Sequence, residues 1–356
     1  MSFRKTTIKR PPVQHRGLNY LLNLVSAAPA PPPATGNIVA AGGFFPDGAK
    51  FSPDGINWSD GLIPIGEEIY TLAWRSGSGY YGTKSGFAAS KLRTAFSAAG
   101  DTAWSFTDSN ALAGLGASPT AHRDGLCFGG GVWIICIDTG PTTGMQIYSS
   151  SDFITWTLRQ TIVYGTGVNG NTQAYWDGAQ FVVMLRGSTI WTTRFLTSPD
   201  GITWADIDNV VLSVKAAGNP SWFFIFKQGG FYLISGVDGS GTMNVFRSAA
   251  LAGPWSTVGG AFAGGSAGPY TFASNGTRIV CGAGINRKFG YSDNNGATWT
   301  IPAAPPDPGY GSVNNRFTYR SGVFVMIYFN DTFVSADGAT FTLNAPPLGD
   351  QYRNVV

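Results

Sequence analysis

In the second half of the chain, short apolar runs return at regular distances, each just after a polar corner containing glycine. Examples are WDGAQFVVMLRG (176–187), KQGGFYLISGV (227–237), SNGTRIVCGAG (274–284) and RSGVFVMIYF (320–329). A polar-Gly corner followed by β-branched and aromatic residues predicts a hairpin turn and its second strand. Downstream comes another pattern, TSPDGITW at 197–204. Pro199 presets φ for a turn, Asp200 can fold its carboxylate onto nearby N–H groups, and Gly201 tolerates positive φ. Ile202 and Trp204 then alternate around Thr203, as in a half-buried strand. The stretch predicts strand, turn and strand, with the Trp as an apolar plug.

The order recurs. SPDGINW ends at Trp58 and SSDFITW at Trp156, with Phe153 in place of the Gly. SDNNGATW ends at Trp299, with Asn294 in the Asp place, and SADGATF ends at Phe341. Eroded copies, SAAGDTAW and SAALAGPW, end at Trp104 and Trp255. The terminal aromatics lie 46, 52, 48, 51, 44 and 42 residues apart, which marks a repeat architecture. Each repeat holds about four short strands, the content of one β-propeller blade. The expected fold is therefore all-β: a seven-bladed propeller with four-stranded blades over 37–356, preceded by an extended N-terminal arm, 1–36. The turn positions are Ser52, Asp54, Gly55, Trp58, Trp104, Asp152, Trp156, Ser198, Asp200, Gly201, Trp204, Trp255, Asn294, Gly296, Trp299, Asp337, Gly338 and Phe341.

These motifs resemble the Asp-box (BNR) repeats of sialidase-type and related β-propellers. The resemblance covers about 37–356 and implies that each box turn joins the third and fourth strands of a blade. It specifies a propeller well and a function poorly. The first blade lacks its opening strand: GNIVAAGG (36–43) and AKFS (49–52) supply the second and third. DQYRNVV (350–356) resembles the opening strands of other repeats, so the C-terminal strand is expected to pair into blade one and close the ring, leaving no large open edge.

Composition agrees with turns and large plugs: 49 Gly in 356 residues, 14% aromatic and only 12% charged. No apolar run reaches the roughly 18 residues of a membrane-spanning helix. Cys127, Cys136 and Cys281 are too scattered for a disulfide framework and read as small buried apolar residues. With His15 and His122 as the only histidines, no zinc spacing arises; no metal and no cofactor are expected.

The arm differs. Arg4, Lys5, Lys9, Arg10 and Arg16 stand among residues 1–16 with no acid, against 18 basic and 20 acidic residues in the remainder, so the net +3 comes from the arm. A secretory leader is one reading, opposed by the short, broken apolar run LNYLLNLV. A nucleic-acid-binding arm is another, limited to non-specific affinity. The preferred reading is an anchor: the basic residues with Leu18, Tyr20, Leu21 and Leu22 dock onto another protein, and APAPPPATG (28–36) acts as a semi-rigid spacer. Folding back onto its own propeller is the remaining alternative.

The family resemblance invites a sialidase reading: a Tyr nucleophile supported by Glu, an Arg triad for the substrate carboxylate, and an Asp acid. The only glutamates are Glu67 and Glu68, near Tyr70, and the family's early Arg-Ile-Pro signature is absent. A glycosidase using aspartates alone stays open. His122 and Asp124 share a strand face without a specified nucleophile, and Gly129–Gly131 reads as a hairpin corner. Trp74, Trp133, Trp176, Trp191 and Trp222 lie outside the box plugs and either stack on sugars or pack between blades.

The expectation drawn is a non-enzymatic structural and adhesive propeller. Its layout, a short anchor before a low-charge β-rich body, resembles virion proteins of tailed bacteriophages. That resemblance implies synthesis in a host cytoplasm, a place in the phage tail or head-tail region, contact with other virion proteins through residues 1–36, and several symmetric copies. It also implies contact with a host glycan or receptor, without specific nucleic-acid binding. The alternative is a secreted or surface glycan-binding propeller, or a sialidase-like glycosidase.

Overall fold

The computed structural model describes residues 37–42, 49–61, 63, 69–88, 90–100, 104–113, 115, 120–139, 144–163, 168–187, 192–211, 221–237, 243–258, 271–282, 289–302, 315–328, 331–344 and 352–355. The arm, with every anchor residue from Arg4 to Leu22, lies outside the described residues, as do Glu67, Glu68 and Trp191. The side chains of His122 and Trp222 lie outside them as well.

The described chain is all strand, turn and bend. The first sheet contains β1 (Ile38–Gly42), β2 (Ala49–Ser52) and β3 (Ser59–Asp60). Next come β4 (Thr71–Arg75), β5 (Gly79–Ala88), β6 (Lys91–Ser97) and β7 (Ser105–Ala111). An eight-stranded sheet follows. Its first run is β8 (Thr120–Gly129), β9 (Val132–Asp138), β10 (Met145–Ser150) and β11 (Thr157–Ile162). Its second is β12 (Val168–Trp176), β13 (Phe181–Gly187), β14 (Thr192–Ser198) and β15 (Ala205–Val211). Each run is antiparallel, and a single parallel pairing, Gln173 with Asp124, joins them. The following sheet holds β16 (Ser221–Gln228), β17 (Phe231–Val237), β18 (Met243–Ser248) and β19 (Ser256–Thr257). The sheet after it has three strands: β20 (Phe272–Ser274), β21 (Ile279–Gly282) and β22 (Phe289–Ser292), the last extended by an isolated bridge from Tyr291 to Thr300. The last holds β23 (Asn315–Arg320), β24 (Val323–Tyr328), β25 (Asp331–Ser335) and β26 (Thr342–Asn344). Finally β27 (Tyr352–Val355) pairs antiparallel with β1, Ala40 opposite Val355, and belongs to the first sheet.

The strand patterns follow from packing on both faces. In β9, VWIICID, five consecutive residues are buried, because sheets press on it from each side. In β7, SFTDSNA, only Ser109 is buried, as suits an outer strand. The core is divided into clusters, each joining one unit to the next. Val39 and Ala49 pack with Leu72, Tyr80 and Trp104; Leu92 packs with Trp133, Ile135 and Tyr148. The same holds for Ile134 with Phe181, Val182 with Ile234, Leu233 with Ile279, and Val280 with Phe324. The series returns to its start, since Val325, Ile327 and Val334 pack on Ile38 and Ala40.

Candidate functional site

The box turns form as their residues dictate. Ser52 Oγ donates to Asp54 Oδ1 at 2.9 Å, and the same carboxylate oxygen accepts the N–H groups of Ile56 and Asn57 at 2.8 Å. Gly55 N donates back to Ser52 Oγ at 2.8 Å, and Trp58 Nε1 donates to Gly55 O at 2.9 Å. Asp152, Asp200 and Asp337 repeat the carboxylate pattern, and the amide oxygen of Asn294 does the same work toward Thr298 N at 2.9 Å. The eroded copies keep parts of it: Gly100 N donates to Ser97 Oγ at 2.9 Å, and Trp255 Nε1 to Leu251 O at 3.0 Å. The indole nitrogens of Trp104 and Trp204 are buried with no partner among the described residues. The Asp carboxylates of these turns accept from their own backbone N–H groups and box serines, so the boxes read as architecture.

The candidate site lies on the opening strands of the units. β4, β8, β12, β16, β20 and β23 converge on a pocket of about 290 Å³. Two charged side chains line it. Arg316 Nη2 meets Asp124 Oδ2 at 2.8 Å, joining residues 192 apart in sequence. The Arg316 side chain is 7% exposed and that of Asp124 27%, so the carboxylate is the solvent-facing member. The guanidinium also lies over Phe224, 4.8 Å from the ring centroid, and Tyr175, Phe226, Phe272 and Phe317 add aromatic wall. Gln173 and Tyr175 are committed elsewhere. Ile225 N donates to Gln173 Oε1 at 2.5 Å, and Lys227 N to Tyr175 Oη at 3.1 Å, tying β12 to β16.

A second ionisable cluster is closed. Asp177, with a 1% exposed side chain, accepts from Lys227 Nζ at 3.1 Å, from the Tyr232 hydroxyl, and from Ala179 N and Gln180 N at 2.8 and 2.9 Å. Burial alone would raise its pKa, but the Tyr232 hydroxyl and the two N–H groups outweigh it and hold the carboxyl below its usual range. Burial, reinforced by Asp177, pushes the Tyr232 hydroxyl up. This satisfied set pins two units together.

Of the other sequence candidates, Trp133 is fully buried in the core, and Trp176 packs beside the Ile134–Phe181 cluster, so both are packing residues. Trp74 lies under the Arg320 guanidinium, 4.0 Å away. Burial raises all three thiols, Cys127 to about 12. Among the described residues no group of three or more His, Cys, Asp or Glu gathers as a metal site requires. Sequence reasoning found Asp124 only as a neighbour of His122 and missed Arg316; no local motif marks their pairing.

No protein-family model and no curated protein matches the sequence. Solved structures do. A functionally unknown protein from Desulfotomaculum acetoxidans superposes with a TM-score of 0.61 at 10% identity, covering 90% of this chain and 98% of that one. The Niastella koreensis GH74 enzyme gives 0.54 at 16% identity over 87% of this chain and 55% of its own. Penicillium chrysogenum α-L-arabinanase, solved with arabinobiose, gives 0.51 at 13% identity over 80% and 94%. The architecture is a β-propeller fold. At these identities the likeness speaks for the fold alone. The expectation of a non-enzyme is corrected at the level of the fold: matching structures include glycoside hydrolases, so a propeller body gives no ground for excluding catalysis.

Proposed function

We propose that the chain is a carbohydrate-acting propeller whose axial pocket binds a sugar, with Asp124 as its proton-handling group and Arg316 as its anion or carbonyl holder. The observation that carries this reading is the Asp124–Arg316 pair on the wall of an aromatic-lined pocket. Ring faces suit the apolar faces of a pyranose or furanose. A carboxylate beside solvent can take a proton from water, while a fixed guanidinium stabilises charge developing on oxygen. That pair suits hydrolysis at an anomeric or lactone carbon. The glycoside hydrolases among the matching structures, one holding arabinobiose, support the substrate class.

The test is an assay of the full chain against aryl glycosides, arabino-oligosaccharides and sugar δ-lactones, alongside Asp124→Asn and Arg316→Gln. Turnover of at least one substrate is expected, with Asp124→Asn lowering kcat by about 10²-fold or more. Absence of both turnover and ligand-induced thermal shift across the panel would discard the proposal.

The same reading includes a closed ring of seven four-stranded blades. It is supported by the chain of inter-unit clusters that ends on Ile38 and Ala40, and by the pairing of β27 with β1. For residues 1–36 the proposal is a tether to an assembly partner such as a virion tail protein, supported by the basic residues of 1–16. Capture of that partner should be lost when Arg4, Lys5, Lys9 and Arg10 are reversed to Glu.

A further inference from the structure

Five polar side chains line the pocket, and their hydrogen bonds leave them unequal. Asp124 and Arg316 hold each other. Gln173 and Tyr175 are latches that work in both directions. The Gln173 amide accepts from Ile225 N and donates to Ile225 O at 3.3 Å. The Tyr175 hydroxyl accepts from Lys227 N at 3.1 Å and donates to Lys227 O at 3.5 Å. Thr271, just ahead of β20, makes only half of such a latch. Its Oγ1 accepts from Phe317 N, in the following unit, at 2.7 Å. A hydroxyl carries one proton and two lone pairs. The bond from Phe317 fixes the oxygen through a lone pair, and the proton finds no acceptor among the described residues.

Exposure decides which part of the wall a ligand meets. Phe224 and Phe317 are 5% and 4% exposed and back the wall. Phe226, Phe272 and Thr271 are half-buried. The rings of Phe226 and Phe272 stack with centroids 5.7 Å apart and planes at 22°. An unspent donor therefore sits directly beside the aromatic surface on which a sugar ring would lie.

We propose that the Thr271 hydroxyl is the specificity-determining donor of the pocket, giving its proton to a hydroxyl or ring oxygen of a sugar stacked on Phe272. This rests on the sugar reading of the pocket and adds the residue that chooses among sugars. The ligand class narrows to sugars with an oxygen acceptor at the edge of the stacked ring. A site that hydrogen-bonds such an oxygen discriminates against the analogue lacking it.

The experiment measures dissociation constants of the full chain by isothermal titration. The probes are methyl α-L-arabinofuranoside and methyl β-D-glucopyranoside, each with its monodeoxy forms. The variants are Thr271→Val and Thr271→Ser. One deoxy form of a bound sugar should lose about fivefold, Thr271→Val about the same, and the two together no more than either alone. Thr271→Ser keeps the hydroxyl and should bind within twofold of the unmodified chain. If Thr271→Val fails to fold for want of an acceptor for Phe317 N, Thr271→Cys takes its place, because its sulfur accepts weakly and donates poorly. A purely structural Thr271 would leave every deoxy loss as large in the variant as in the unmodified chain; that result overturns the proposal while the sugar reading stands. A loss with Thr271→Ser as large as with Thr271→Val overturns it too, by assigning the effect to the methyl group. Binding of neither parent glycoside also overturns it, and the sugar reading is then decided separately by the wider substrate panel.

Discussion

Phe153 stands where sibling turns place Gly55, Gly201, Gly296 and Gly338, and it adopts the same left-handed backbone, φ 66° against 70–77° for the glycines. Two of the siblings are crowded: a Cβ on Gly55 would lie 2.6 Å from Val325 Cγ2, and one on Gly296 2.5 Å from Leu233 Cδ2, whereas one on Gly201 would lie 3.2 Å from Phe181. Phe153 instead sends its ring against Tyr81, Trp133 and Trp156, with centroids 4.8–5.5 Å away. Left-handed backbone costs roughly 1–2 kcal/mol, while loss of a buried Phe ring costs about 3–5 kcal/mol. Phe153→Gly should therefore destabilise by about 2 kcal/mol in urea unfolding; a stabilised variant would show that strain dominates. At Asp54 and Asp152, burial alone would raise the pKa, but local N–H donors from Asn57, Ile56, Thr155 and Ile154 hold both at about 2, below the usual 3.8. A lowered carboxylate contributes stability that is full above its unfolded pKa and is lost as pH falls through the folded one. The melting temperature should accordingly decline between pH 4 and pH 2. Asp54→Asn with Asp152→Asn should flatten that decline, as Asn294 already holds one such turn. An unchanged slope would assign acid sensitivity elsewhere. This scale was the most legible in the sequence, because each turn closes through hydrogen bonds two to four residues long.

Units meet the next unit through single polar side chains that reach across to it. Asn110, in β7, donates to Trp156 O at 2.9 Å and accepts Trp156 N at 2.7 Å. Asn344, in β26, donates to Ile56 O across 288 positions; Arg247 and Arg278 donate to Asn295 O and Asp337 O at 3.0 and 2.7 Å. Each reaches a box turn of the following unit. Asn110→Ala leaves a buried-edge N–H of Trp156 without its acceptor and should cost about 1–2 kcal/mol, measured by denaturant midpoint at constant m-value. Loss below about 0.3 kcal/mol would mean that water replaces the side chain. The sequence gives no warning of these latches. Their residues differ in type and in phase between repeats, since any donor of suitable reach serves, whereas the turns they grip need one fixed geometry.

For the molecule as a whole, β27 ties the last described residues to the first sheet. It pairs with β1 and also contacts β23 and β4. Removing 352–355 takes away the antiparallel partner of β1 and leaves that strand with an open edge. Because total stability is only about 5–15 kcal/mol, the expected loss of a few kcal/mol should lower the melting temperature strongly and broaden the transition. A melting curve identical to that of the full chain would show that side-chain packing alone holds the first and last sheets together.

The repeat and the turns were decided by the sequence alone, because each depends on neighbours within a few residues or on one period of the repeat. Burial along the strands was not, since β9 and β10 are buried at five and six consecutive positions, and Ile202, expected to alternate with Trp204 on a strand, lies in the turn and is 47% exposed. The contribution of DQYRNVV to the first sheet was legible too, since the first repeat lacked a strand and the last residues matched its pattern. The meeting of Asp124 with Arg316, of Arg320 with Trp74, and of Asn344 with Ile56 was decided only by tertiary structure. Those partners come from different repeats, where period and turn chemistry carry no information about which side chains face one another between units. Only the packing of the units on one another brings them together.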